Sequence, residues 1–353
     1  MKSFQAMTIL SVLLLPLHFA SAAFDPIEYR APNPPDLKGA LAVNSVLQST
    51  KLIGLHEIRG PEGLAIDSEG NLYTGTHDGS ILKIDQNHKI TTLGNTGGRA
   101  LGISLSLDGR LVIADMLRGL LVMDQNGNVE TLSTEADGRR FGILDDVKVA
   151  RDGKIYFSEA TYKYSVDNYQ LDALEGRPNG RLLVYDPNTR QTSVLIKELY
   201  FANGIALSKN EDFILVCESS RYRITRYWLK GEKQGSTDTF TDNMPGFPDN
   251  ISRSPDGGLW VAMVAPRNGL LDWLHKYPAI KKLVAKMPKS VWAKQKKYGL
   301  VLKISETGEN LKSLHDPTAI VIFGITSVEQ YRNSLYFGTY EGGGVGELKI
   351  ADF

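Results

Sequence analysis

From residue 63 onward the chain alternates short apolar runs with polar turns. Gly63-Leu64-Ala65-Ile66-Asp67 passes through Ser68-Glu69-Gly70 into Asn71-Leu72-Tyr73-Thr74-Gly75, and apolar runs at 79–84 and 90–93 follow. Runs this short, bounded by Asp, Gly and Ser, predict strands joined by hairpin turns rather than helices. The same order returns at 102–106, 111–114, 119–123 and 129–132. It returns again at 146–150, 155–158 and, after an insertion, 180–185. Further copies start at Gly204, Asn250 and near Thr326.

One slot precedes the first strand of each copy. It holds Glu62, Leu101, Asp145, Asn203, Asp249 and Ile325, and Tyr73, Val112, Tyr156, Ile214, Trp260 and Tyr336 follow at one constant offset. The slots are spaced by roughly 40 to 60 residues, stretched to about 75 in the fifth copy, which suits four-stranded propeller blades with loop insertions. The predicted fold is therefore all-β, a six-bladed β-propeller. A β-sandwich would explain the strands but not the constant slot. One blade cannot bury both faces, so 59–353 is expected to form a single cooperative domain. Residues 23–58 read as an extended, Pro-rich lead-in and a segment that closes the ring.

The stretch at about 270–298 breaks the β pattern inside the fifth copy. Leu270, Leu271, Trp273, Leu274, Tyr277, Ile280, Leu283, Val284 and Met287 recur at helical spacing, with Lys276, Lys281, Lys282, Lys286 and Lys289 between them. Pro278 and Pro288 divide the stretch into short helices. It is expected to form a helical cap over one propeller face. A lid, or a peripheral membrane contact walling an apolar pocket, is a compatible reading.

Charge narrows the partners. The 353 residues carry 40 Lys and Arg against 40 Asp and Glu, so there is no basic footprint for nucleic acid. The single cysteine, Cys217, excludes an intramolecular disulfide and sits in an apolar run that reads as core. Lys2, an apolar stretch at 6–20 and Ala20-Ser21-Ala22 read as a signal peptide over 1–22. An exported protein is expected, secreted or periplasmic, with an uncleaved membrane anchor as the alternative.

In a propeller the first strand of each blade lines the axis, so equivalent slots converge at its mouth. Glu62, Asp145, Asn203 and Asp249 would bring three carboxylates and one amide oxygen together, and Asn250 would add another. Hard oxygen donors without sulfur or imidazole select Ca²⁺ first and Mg²⁺ second. Three converging carboxylates repel one another unless a cation lies between them. The competing reading is that these residues cap turns, and four in one register speak against it. Leu101 and Ile325 offer no ligand and leave an apolar side for an organic substrate. A metal so placed would polarise an ester or lactone carbonyl, with Asp145 or Asp249 activating water. His77 and His315, flanked by Asp-Gly and Asp-Pro, read as turn residues first and as pocket groups second. No Gly-x-Ser-x-Gly elbow is present.

Several of these segments resemble the strictosidine synthase-like family. They are Gly60-Pro61-Glu62-Gly63, Phe201-Ala202-Asn203-Gly204-Ile205-Ala206-Leu207-Ser208, Arg226-Tyr227-Trp228-Leu229 and Met244-Pro245-Gly246-Phe247-Pro248-Asp249-Asn250-Ile251. The likeness runs from about Phe24 to the end and includes Leu271-Asp272-Trp273-Leu274 and Ser313-Leu314-His315-Asp316-Pro317. It implies a six-bladed calcium propeller related to paraoxonases and gluconolactonases, with Glu62, Asn203 and Asp249 at metal positions and Asn250 an occasional further ligand. At Asp145 the wider family often carries Asn. Where true strictosidine synthase has a sixth-blade glutamate this chain has Thr326, which cannot act as the acid/base of a condensation. The family's cysteine pair is absent too. The expected activity is thus hydrolysis of small organic esters or lactones, ahead of a non-catalytic binding propeller and of a condensing synthase.

Overall fold

The computed structural model describes residues 23–292 and 295–352, and the expected signal segment at 1–22 lies outside them. Six four-stranded antiparallel sheets form the blades of a propeller. The first blade uses Leu64–Ile66, Leu72–Gly75, Ser80–Ile84 and Ile90–Asn95. The inner strands of the next five are Ala100–Leu105, Ile143–Val149, Ala202–Leu207, Gly246–Arg253 and Ile325–Tyr331. The sixth sheet takes three strands from the C-terminal end and its outermost, Lys51–Ile53, from the lead-in. That mixed sheet closes the ring and couples the first blade to the last.

The hairpins form for a local reason. In the first, the Asp67 carboxylate accepts the amides of Glu69 and Asn71, each at 2.9 Å, and Gly70 takes the left-handed φ of +90° that the turn needs. Apolar residues fill the spaces between neighbouring sheets. Between the fourth and fifth blades, Cys217 packs with Leu215, Ile224, Val261 and Met263, and burial pushes its thiol well above the usual range.

Three short helices sit beside the axis mouth. Helix α1 (Gln170–Glu175) belongs to an insertion in the third blade, and α2 (Gly269–Leu274) and α3 (Pro278–Val284) interrupt the fifth. Asn268 caps α2 by accepting the amides of Leu270 and Leu271, and Pro278 opens α3. The lead-in pins this cap. Tyr29 donates its amide to the His275 carbonyl at 2.9 Å, and the buried Lys281 donates Nζ to the carbonyls of Ile27 and Glu175 at 2.6 and 3.0 Å. Burial draws the Lys281 ammonium down to about 8.

Candidate metal centre and cavity

The slot residues are aimed at the axis by a backbone irregularity. In the second to sixth blades the inner strand carries one residue more than its partner at this point. Leu144 pairs with Glu159 and Val147 with Phe157, for example, and Pro248 pairs with Met263 and Ile251 with Val261. Such β-bulges turn a side chain out of the regular alternation. In the first blade the ladder starts only after Glu62 and Gly63.

The sixth slot differs from expectation. Ile325 pairs with Thr339 and Ser327 with Gly338, so the extra residue is Thr326. Ile325 instead packs in the core with Trp260, Leu335 and Phe337. The cause is a short hairpin. Gln330, four residues after Thr326, pairs with Leu335 across four residues, where Val149, four after Asp145, and Ile155 of the third blade enclose five. A constant offset therefore slips by one position here.

Glu62, Asp145 and Asp249 each bring a carboxylate oxygen within 4.8 Å of the others, and all three are buried. Asn203 shares the same cavity wall. Asn250 faces its neighbour rather than the cavity, donating Nδ2 to Glu62 Oε1 at 3.1 Å. Five buried oxygens of this cluster accept no hydrogen bond: Glu62 Oε2, Asp145 Oδ1, Asn203 Oδ1, Asp249 Oδ1 and Asn250 Oδ1. Buried acceptors without donors are costly, and a hard cation satisfies them at once. The donor set fits Ca²⁺. Without a cation, burial and then the neighbouring carboxylates hold Asp145 and Asp249 well above the usual carboxylate range. Glu62 is pushed up to about 8, by burial first and Asp146 next.

The positions just after the slots join the blades. A Cβ on Gly63 would lie 2.2 Å from the Leu101 carbonyl, one on Gly102 2.6 Å from that of Asp145, and one on Gly204 2.3 Å from the Cα of Asn250. Where this position carries a side chain, the side chain bridges. Asp146 Oδ2 accepts the Ile205 amide of the fourth blade at 2.9 Å, and its Oδ1 pairs with Lys148 at 3.0 Å. Ser327 Oγ and Thr326 Oγ1 both donate to the Glu62 carbonyl, at 2.7 and 3.0 Å. Asp146 escaped the sequence analysis. Its adjacency to a slot residue was the available signal.

Above the cluster opens a cavity of about 590 Å³, within the usual range for small-molecule sites. Leu101, Met116, Ile143, Phe201, Phe247 and Phe323 give it apolar walls, and Leu271, Leu274 and Val284 of the cap form one side. Thr326 lines it, as do Lys289, Lys296 and Lys297. Phe201, two residues before Asn203, has a left-handed φ of +57°, a strained conformation for a non-glycine residue that places its ring in the wall.

Neither histidine reaches this cavity. His77 is exposed, and its Nε2 lies 2.6 Å from the Tyr340 carbonyl, so it buttresses a wall residue from outside. His315 lies on the outer strand Asn310–Asp316 of the fifth blade, buried between Tyr298 Oη at 2.9 Å and Ser313 Oγ at 2.8 Å, and burial lowers its pKa to about 4. The predicted turn starts one residue later, at Asp316, whose carboxylate accepts the amides of Thr318, Ala319 and Val321.

Comparison with known proteins agrees with this picture. The strictosidine synthase family model matches 145–232, and the strictosidine synthase-like N-terminal model matches 39–84. The adipocyte plasma membrane-associated protein of Bos taurus is 35% identical over 93% of this chain and 85% of its own length. Protein STRICTOSIDINE SYNTHASE-LIKE 7 of Arabidopsis thaliana is 36% identical over 83% of this chain and 80% of its own. Among solved structures, a gluconolactonase from Xanthomonas campestris superposes with a TM-score of 0.62 at 17% identity, covering 92% of this chain and 96% of that one. Regucalcin from Agrobacterium tumefaciens, described as a calcium-binding protein, gives 0.58 at 14%, covering 87% and 93%. Likenesses at such identity establish the fold they share. Among the described residues no helix is long and apolar enough to cross a membrane.

Proposed function

The chain belongs to the strictosidine synthase-like family, and from that premise we propose that it is a calcium-dependent hydrolase of small organic esters or lactones. The observation that carries the reading is the set of four donor-less buried oxygens, on Glu62, Asp145, Asn203 and Asp249, beneath an apolar cavity. Glu62, Asp145, Asn203 and Asp249 would hold the ion, and the Asn250 amide fixes the Glu62 carboxylate beside it. A bound Ca²⁺ supplies Lewis-acid polarisation of a carbonyl. The apolar walls bind the acyl or aryl group and exclude bulk water. Asp145 or Asp249 takes the proton from the attacking water as the water oxygen bonds to the carbonyl carbon, and returns it to the alkoxide that leaves when the acyl–oxygen bond breaks. Thr326 stands in the cavity wall with a hydroxyl already donated to the Glu62 carbonyl, so no acid/base for amine condensation is present at that position.

The test is hydrolysis of phenyl acetate and a lactone panel with and without chelator. Turnover that stops with chelator, returns with Ca²⁺ and is lost in a folded Asp249→Ala protein supports the proposal. Turnover indifferent to chelator, or to Asp249→Ala, overturns it. Calcium binding without turnover on any ester or lactone would leave a ligand-binding propeller instead.

A further inference from the structure

We propose that the outer face of the helical cap is a docking surface for an anionic lipid bilayer. Helices α2 and α3 are apolar on two faces. Leu271, Leu274 and Val284 point inward and wall the cavity. Leu270 and Trp273 of α2 are 53% and 45% exposed, Tyr277 between the helices is 44% exposed with its ring centroid 5.0 Å from that of Trp273, and Leu283 of α3 and Met287 just beyond it are 61% and 50% exposed. A helix whose core-facing stripe is already satisfied gains nothing in water from a second apolar stripe, so such a face marks a surface that becomes covered.

Two observations select lipid as the cover. First, Lys276, Lys282 and Lys286 are interspersed with the exposed apolar side chains, the composition of an interfacial helix on an anionic membrane. Second, the chain that precedes the described residues joins the body at this edge. The Ala23 carbonyl accepts Lys163 Nζ at 3.0 Å, and the same ammonium pairs with Glu175, the last residue of α1, which contacts α3. Ala23, the first described residue, therefore lies beside the cap. Docking through this face would set the cavity mouth at the lipid surface.

The test reads which face meets the membrane, independently of how the N-terminal segment is held. In the full chain, Leu283→Cys is labelled with an environment-sensitive fluorophore, since the native Cys217 is fully buried. Leu107→Cys is the control, 72% exposed in the hairpin between the first two strands of the second blade. Vesicles of phosphatidylcholine with and without phosphatidylserine are added. A blue shift at position 283 and none at 107 is expected. Replacing Lys276, Lys282 and Lys286 by Gln should weaken partitioning onto the anionic vesicles by about a hundredfold. Silence at both labels overturns the proposal, because the cap face then does not enter the bilayer. A shift at 283 that needs no vesicles and grows with protein concentration also overturns it, in favour of a second copy.

Discussion

The two sides of the axis mouth share one backbone and differ in chemistry. On the first, third, fourth and fifth blades the slot carries Glu62, Asp145, Asn203 and Asp249. On the second and sixth it carries Leu101 and Thr326, and those two line the same cavity. The bulge appears in the blades of both sides, so it is the backbone that delivers a side chain to the axis, whatever that side chain is. The identity of the residue then decides whether the position adds an oxygen to the cluster or only lines the cavity. One ring of equivalent positions thereby combines a candidate metal site with the wall of a cavity.

The comparison can be broken most severely at Asp249. Asp249→Ala should lower calcium affinity, read by titration calorimetry, by at least about a hundredfold, since it removes one of three converging carboxylates. Asp146→Ala should act through the fold. It strips the Ile205 amide and Lys148 of their partner and should cost about 3 kcal/mol in urea unfolding, with a smaller loss of calcium affinity. On the ligand-free side, Leu101→Ala should cost about 2 kcal/mol and alter substrate preference while leaving calcium affinity unchanged.

Metal removal gives the comparison a pH signature. The folded Glu62 holds its proton up to about 8, against an ordinary value of 4.5, so in chelator the folded state binds more protons than the unfolded one across that window. Stability in chelator should therefore fall as pH rises from about 4.5 to about 8, and saturating Ca²⁺ should flatten the slope. Melting temperatures measured across that range check it. The smallest effect is expected at His77, where replacement by Ala should leave kcat/KM for any hydrolysed ester within about threefold, because its ring supports Tyr340 from outside the cavity.

Much of the site was legible because a repeat protein writes the same geometry several times. The spacing of Glu62, Asp145, Asn203 and Asp249 reports convergence without coordinates. Legibility failed where one copy departed from the others, as in the shortened sixth hairpin that moved the slot from Ile325 to Thr326. It failed also where a residue acts across the ring. Asp146 is just a neighbour of Asp145 in sequence, and its partner amide lies 59 positions away in the next blade. At His315 the Asp-Pro flank signalled a turn correctly but placed the histidine inside it, whereas the strand continues through Asp316.

The sequence by itself determined the six-fold plan, the helical interruption of the fifth blade and the oxygen-rich slot set, because strand periodicity, turn residues and repeat spacing are local properties. The tertiary structure alone decided which bulge residue reaches the axis, which oxygens are left without donors, and how the lead-in and Lys281 pin the cap over the cavity. Those depend on distances between blades that no local pattern encodes. The three carboxyl groups of the mouth meet only because the closed ring brings the first, third and fifth blades together.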